Sequence, residues 1–276
     1  MVCGRCLSAA IAVPFGTFAN PYPNHLLISN PPSSPMAAKP ITLVLLPGMD
    51  GTGALFEPFI AALGNARSIA VVSYPTSGDS QTYACLRDLA ALALPPEGPL
   101  VLLGESFSGP IAILLAAANP KRVVGVVLCC TFVRNPRPGL RWLSGLASTP
   151  IPLPPSAILK AMLFGRFATP RLVGMLREAL TKVQPAVLRA RLRAVVSVDV
   201  RTQARALEVP VLYLKGTRDR LVPTSAMTEA QHHCRNMKVR LFDAPHCLLQ
   251  VAPEEAAATV ADFIDEVAAP QDGMRR

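Results

Sequence analysis

A serine hydroxyl becomes a useful nucleophile only when three things meet: a turn that exposes it, a base that takes its proton, and a group that orients the base. Residues 100–110, Leu-Val-Leu-Leu-Gly-Glu-Ser-Phe-Ser-Gly-Pro, supply the first. An apolar run ends at Gly104 and helical spacing opens just after Ser106. That places Ser106 in a tight strand-to-helix turn with its hydroxyl pushed into the open. Small residues at 104 and 108 let strand and helix pass closely. The usual form of this elbow is G-x-S-x-G; here Ser108 stands at the last glycine position, and Gly109 follows it.

The base must come from four histidines, His25, His232, His233 and His246. His25 lies in an irregular leading segment. His232 and His233 sit late in a predicted helix, where solvated histidines are ordinary. His246 follows the last predicted strand, in Val239-Arg-Leu-Phe-Asp-Ala-Pro-His246, and so falls on the same rim as Ser106. The acid belongs between nucleophile and base in chain order. Asp219 ends the run Val211-Leu-Tyr-Leu-Lys-Gly-Thr-Arg-Asp219, which leads from a strand into a loop on that rim. Asp243 is the second candidate, but it sits at a strand's last step with its side chain directed away. An oxyanion needs backbone N–H donors already aimed at it. The Phe107 amide is one. The other is the Met49 amide, from the glycine-rich loop Pro47-Gly-Met-Asp-Gly-Thr-Gly53. That loop does not read as a phosphate or dinucleotide cradle: its glycines do not fit G-x-G-x-x-G, and no Lys-Ser/Thr pair follows.

These residues need a scaffold that brings strand ends together. From residue 41 onward, short apolar strands alternate with helical patterns. Strands are expected at Ile41–Leu46, Ile69–Tyr74, Leu100–Leu103, Val123–Thr131, Val211–Lys215 and Lys238–Phe242. Helices are expected at Ala54–Leu63, Gln81–Leu92, Ser108–Asn119, Ser225–His233 and Pro253–Val267. Strands that are apolar without alternation are covered on both faces, which implies a mostly parallel, doubly wound α/β sheet. Ligands in such sheets bind at the carboxyl ends of the strands. The alternation breaks between about 133 and 203, where helical patterns and the Pro150–Pro155 breaker suggest an inserted helical cap. The domain reading is therefore residues 40–132 and 204–268 as the α/β core, 133–203 as the cap, and 269–276 as a flexible tail. Residues 1–39 read as a disordered leader or a mis-assigned start, with Met36 as the alternative first residue.

The sequence holds 276 residues, 51% of them hydrophobic and 16% charged, with net charge +9 and mean hydropathy +0.36. That composition supports a large core and excludes a disordered chain. The longest apolar runs fall short of the roughly 18–20 residues a spanning helix needs. Seven cysteines are scattered without framework spacing, and Cys3-x-x-Cys6 has no second pair downstream, so neither disulfides nor a metal site is expected. A reduced, cytoplasmic setting fits that usage. Charge is concentrated in the cap: residues 133–205 carry 13 Lys/Arg against Glu178 and Asp199. A solvated helix face explains most such charges. The alternative is steering of an anionic partner, whether a membrane surface, an acidic substrate or a carrier protein, with efficiency that falls as salt rises. Nucleic acid is not expected, since aromatics do not alternate with the basic residues.

The segments Leu46-Pro-Gly-Met-Asp-Gly-Thr-Gly, Gly104-Glu-Ser-Phe-Ser-Gly, Gly216-Thr-Arg-Asp-Arg-Leu-Val-Pro and Asp243-Ala-Pro-His together resemble the α/β-hydrolase superfamily, its small bacterial esterase-like members above all. The resemblance covers about residues 40–268, with the cap matching in position and character only. It implies a catalytic triad of Ser106, Asp219 and His246, and a lid over the pocket. Pro47-Gly48 stands where many relatives have His-Gly, and the first antiparallel hairpin of the usual sheet is missing or shortened. The expected activity is cofactor-free and metal-free hydrolysis of a carboxylic ester, or a thioester, on a small substrate with an apolar acyl or aromatic part. Acyl transfer, carbon–carbon hydrolysis, a cofactor-free peroxidase-like reaction and a non-catalytic ligand-binding protein are the rival readings.

Overall fold

The computed structural model describes residues 39–65, 67–78, 80–139 and 156–269. The leading segment with Cys3, Cys6, His25 and Met36, the proline breaker, Leu140, Arg141, Trp142, Leu143 and Leu146, and the tail from 270 lie outside the described residues.

Six strands form one sheet: β1 (Thr42–Leu46), β2 (Ser68–Val71), β3 (Leu100–Glu105), β4 (Val123–Cys129), β5 (Val211–Gly216) and β6 (Met237–Phe242). Their order is β2-β1-β3-β4-β5-β6, and every pair is parallel. Strand pleating sends alternate side chains to opposite faces, and both faces are apolar. Leu46, Leu102, Leu128 and Tyr213 join one buried layer, while Leu45, Leu103, Val127 and Leu214 join the other. The first layer is closed by α2 (Tyr83–Leu92), α3 (Gly109–Ala118), α7 (Arg201–Arg205) and α8 (Thr224–His233). The second is closed by α1 (Glu57–Leu63), α9 (Leu248–Val251) and α10 (Pro253–Ala268). The edge strands depart from the double-sided burial expected of them. The β2 positions are all exposed or half-buried, and only Phe242 of β6 is buried.

The element boundaries differ from expectation in instructive places. The strand expected to reach Tyr74 stops at Val71, and the chain beyond it runs as loop. The strand β3 continues through Gly104 to Glu105, and a single 3-10 turn, Ser106–Ser108, precedes α3.

Chain order reverses beside β1: the chain steps outward to β2, then returns to the other side of β1 for β3. This switch point opens a crevice at the carboxyl ends of β1 and β3. The loop after β1 and the turn after β3 therefore lie side by side because of strand order alone.

Between β4 and β5 the described residues form α4 (Ser156–Leu163), α5 (Pro170–Thr181), α6 (Pro185–Ser197) and α7. The Thr169 hydroxyl caps α5 by accepting from Leu172 N at 3.3 Å. The two ends of this insertion meet. Val200 N donates to Val133 O at 2.8 Å and Asn135 N to Val198 O at 3.2 Å, around an antiparallel bridge from Arg134 to Asp199. Among the described residues, no helix is long and apolar enough to cross a membrane.

Candidate active site

Ser106 takes φ 50°, in the left-handed region that side-chain-bearing residues avoid. Strain of this kind persists only where surrounding packing enforces it. Two glycines do so. A Cβ on Gly104 would lie 2.6 Å from Ser108 O, and a Cβ on Gly109 would run into Thr131. The glycine that lets the helix pass the neighbouring strand is thus Gly109, one place later than the usual motif. Ser108 is free to carry a side chain, and its hydroxyl is used. It donates to Pro47 O and accepts from the Tyr74 hydroxyl at 2.7 Å, tying the elbow to the loop after β1. On the other side, the Thr131 hydroxyl donates to Ser106 O. Thr131 is itself held by Tyr213, whose hydroxyl donates to Thr131 O at 2.6 Å and accepts from Thr131 N at 3.1 Å. Phe107 is fully buried and stacks on Tyr83 at 4.8 Å between centroids, which anchors the residue whose amide follows the nucleophile.

The loops after β5 and β6 deliver the other two side chains. They approach so closely at Gly216 that a Cβ there would lie 2.5 Å from both Ala244 O and Pro245 O. Arg218 N donates to Ala244 O at 3.1 Å across the same gap. This packing sets His246 between Ser106 and Asp219. His246 Nε2 is 2.8 Å from Ser106 Oγ, and Nδ1 is 3.0 Å from each Asp219 oxygen. The Asp219 carboxylate is fully buried and accepts from Leu221 N at 2.9 Å and Val222 N at 3.0 Å, with Lys215 Nζ 3.7 Å away. Burial alone would raise this carboxyl. The hydrogen bond and charge of His246, the Val222 amide and the Lys215 ammonium outweigh burial and hold it below the ordinary carboxylate value. The rival acid, Asp243, is exposed and pairs with Arg166 and Arg218. The structure therefore brings together all three expected side chains, and it brings Asp219 rather than Asp243.

Met49 lies in a turn closed by Gly51 N donating to Gly48 O at 3.1 Å. Its carbonyl accepts from Arg191 Nη1 at 2.7 Å. Beneath this loop sits a buried acid that the sequence did not single out. Glu105 immediately precedes Ser106 and accepts from Gln250 Nε2 at 3.0 Å. Burial, assisted by nearby Asp50 and opposed by Gln250 and His246, pushes its carboxyl up to about 7.

Two solvated positions expected from the sequence are in fact interior. His233 is buried, with Nδ1 accepting from Arg205 Nε at 2.9 Å. Arg191 is 0% exposed. Its burial had a signal: it stands four residues after Val187, three after Leu188 and four before Val195, so it occupies the apolar stripe of α6.

A model of the alpha/beta hydrolase family matches residues 43–262. The chain belongs to the alpha/beta hydrolase family. It is 26% identical over 227 residues to a pimeloyl-[acyl-carrier protein] methyl ester esterase of Nitrosomonas europaea, covering 74% of this chain and 87% of the relative. A shorter stretch of 103 residues is 32% identical to phytyl ester synthase 1, chloroplastic, of Arabidopsis thaliana, covering 34% of this chain and 15% of that protein. Among solved structures, a hydrolase from Oleispira antarctica superposes with a TM-score of 0.69 at 16% identity, over 83% of this chain and 92% of that one. The family, the esterase relative and the shared fold make this alpha/beta hydrolase an enzyme of the hydrolase class.

Proposed function

We propose that this alpha/beta hydrolase cleaves carboxylic esters, thioesters included, through an acyl-enzyme on Ser106. The observation that carries the reading is the unbroken hydrogen-bond run from Asp219 through His246 to Ser106 Oγ, ending on a residue held at positive φ. In the proposed reaction Ser106 Oγ bonds to the ester carbonyl carbon as its proton passes to His246 Nε2. Asp219 keeps the imidazole oriented and stabilises its charged form. The Met49 and Phe107 amides receive the oxyanion. Collapse expels the alcohol or thiol, protonated by His246. Water, deprotonated by His246, then attacks the acyl carbon and releases the acid and free Ser106.

A packed apolar cluster beside His246 favours an acyl or aromatic substrate part. Leu55, just past the Met49 loop, and Cys247, next to His246, pack with Phe164, Leu172 and Leu176 of the insertion and its flanks. The named ester of the Nitrosomonas relative rides on an acyl-carrier protein. A carrier-borne or otherwise anionic substrate, or an anionic membrane surface, suits a cap that exposes Lys160 and Arg177. Part of the cap's charge is already matched, since Arg171 pairs with Glu57 and Lys182 with Glu178. The ester-synthase stretch favours one second reading, acyl transfer from the same acyl-enzyme to an alcohol in place of water.

A fluorophosphonate probe is expected to label the wild type and not Ser106→Ala. A series of p-nitrophenyl esters of rising acyl length, run with and without a long-chain alcohol, separates free acid from new ester as product. Labelling that persists in Ser106→Ala, or ester turnover that does, overturns the reading.

A further inference from the structure

Arg191 is a cation in the wrong place for a structural residue. It lies on the apolar stripe of α6, fully buried, and its three hydrogen-bond acceptors are all neutral; the buried Asp50 carboxylate of the same loop offsets its charge from a distance without bonding to it. Nε donates to Gln81 Oε1 at 2.9 Å, Nη1 to Met49 O at 2.7 Å and Nη2 to Pro75 O at 2.9 Å. The guanidinium also stands 5.6 Å from the Tyr74 ring centroid. Burial lowers its pKa to about 10, which leaves it charged at neutral pH. Burying a cation costs several kcal/mol, and an apolar side chain of similar volume would fill the site without that penalty. The residue therefore does something that packing does not require.

What it touches says what that is. Met49 and Pro75 belong to the loops that follow β1 and β2, so one side chain of the insertion clamps two loops of the core. The fit is mutual. A Cβ on Gly51 would lie 2.4–2.8 Å from the guanidinium atoms, so the glycine of the loop is cut to the arginine. Tyr74 N donates to Gly51 O at 2.7 Å, and the Tyr74 hydroxyl reaches Ser108, which in turn holds Pro47. The loop carrying the Met49 amide is thus fixed at Pro47, Met49 and Gly51. A second tie runs from Gln184 N, at the start of α6, to Thr76 O at 3.0 Å.

We infer that Arg191 is a positioning residue for the oxyanion hole. It holds the Met49 carbonyl, one peptide unit beyond the Met49 N–H, and so fixes the backbone that aims this donor; it also places a positive charge behind that loop. Preorganised donors of this kind act on the transition state rather than on substrate binding. The inference rests on the ester-hydrolase reading of the same site.

The test uses Arg191→Met, Arg191→Lys and Gln81→Leu in the full chain, with an uncharged p-nitrophenyl ester. Removing one oxyanion donor outright costs about 100-fold or more in rate, so a loosened one is expected to cost about 10- to 100-fold in kcat. KM should move less than threefold. Affinity for a trifluoromethyl ketone, whose adduct with Ser106 mimics the oxyanion, should fall by the same factor as kcat/KM across the variants. Free guanidine at sub-denaturing concentration should restore part of the rate to a cavity variant, Arg191→Ala. Unfolding curves establish that each variant is folded; Gln81→Leu, which leaves the arginine in place, keeps the test open should the Arg191 variants fail to fold. Wild-type kcat in folded Arg191→Met overturns the inference. So does a loss confined to KM, or to substrates bearing a carboxylate, which would make Arg191 a substrate contact. Failure of the parent reading looks different: turnover would then survive in Ser106→Ala.

Discussion

The two halves of the site are held in different ways. Ser106, Asp219 and His246 all stand on segments that follow core strands, and core glycines shape them: Gly104 and Gly109 set the elbow, and Gly216 brings the last two loops together. Among the described residues, the insertion bonds only to their neighbours, through Arg137 to Arg220 O and Leu221 O and through Leu163 O to Cys247 N. The loop bearing Met49 also follows a core strand, but its carbonyl is held by Arg191 from the insertion. Ser106, Asp219 and His246 are thus set mainly by core packing, with the insertion bonded only to their neighbours, whereas Met49 itself is held by a side chain of the insertion.

The comparison can be broken first on the core side. Asp219→Asn keeps the shape of the buried acid but removes the charge that orients and stabilises His246. A rate loss of about 10³–10⁴-fold is expected, with little change in KM. The double variant Asp219→Asn with Arg191→Met decides: losses that multiply separate the two halves, and a combined loss smaller than the product merges them.

Glu105 lies beneath the junction of the halves, and its titration reports on folding. Its carboxyl sits near 7 in the folded chain against an ordinary value of 4.5. Between those pH values the folded protein holds a proton that the unfolded chain releases. Stability from this group is therefore full below about 4.5, declines as pH rises toward 7, and is flat above. The difference corresponds to about 3 kcal/mol. Urea unfolding of Glu105→Gln should show that much less loss between pH 4.5 and 8 than the wild type. Parallel pH profiles would refute it.

The smallest expected effect is on the elbow's outer support. Tyr213→Phe removes the hydroxyl that both accepts from Thr131 N and donates to Thr131 O. A buried amide left without a partner costs about 1–3 kcal/mol, read as a lower unfolding midpoint. The oxyanion half should not notice: inhibitor affinity is expected to stay within a factor of three.

The same division governs what could be read from residues alone. Ser106, His246 and Asp219 could be singled out because each follows a strand within a few residues, and the carboxyl ends of strands in a parallel sheet share one rim. Chain order then left few rivals. Arg191 was hidden for a physical reason. Its partners are mainly backbone carbonyls of loops more than 100 residues earlier, and carbonyls carry no residue identity. Its position on the α6 stripe was visible, but a charge in a basic segment reads as solvated until the stripe is projected. Tyr213 offered a similar clue, since a tyrosine in an aliphatic buried strand must find a partner for its hydroxyl. Ser108 misled in the other direction: it looked like a weakened motif, whereas Gly109 performs the close pass and Ser108 adds a bond.

The pairing of Val133 with Val200 and of Asn135 with Val198 has a further meaning. It gives the insertion a narrow neck, so that to the sheet the whole excursion from β4 to β5 is little more than a hairpin. Such a neck makes a segment modular: what hangs from it can be lengthened, shortened or replaced while the sheet and its two hydrophobic layers stay intact. Arg191 limits that freedom. A graft of foreign helices onto this neck would inherit a folded sheet and an aligned nucleophile, but it would have to supply its own hand for the loop at Met49.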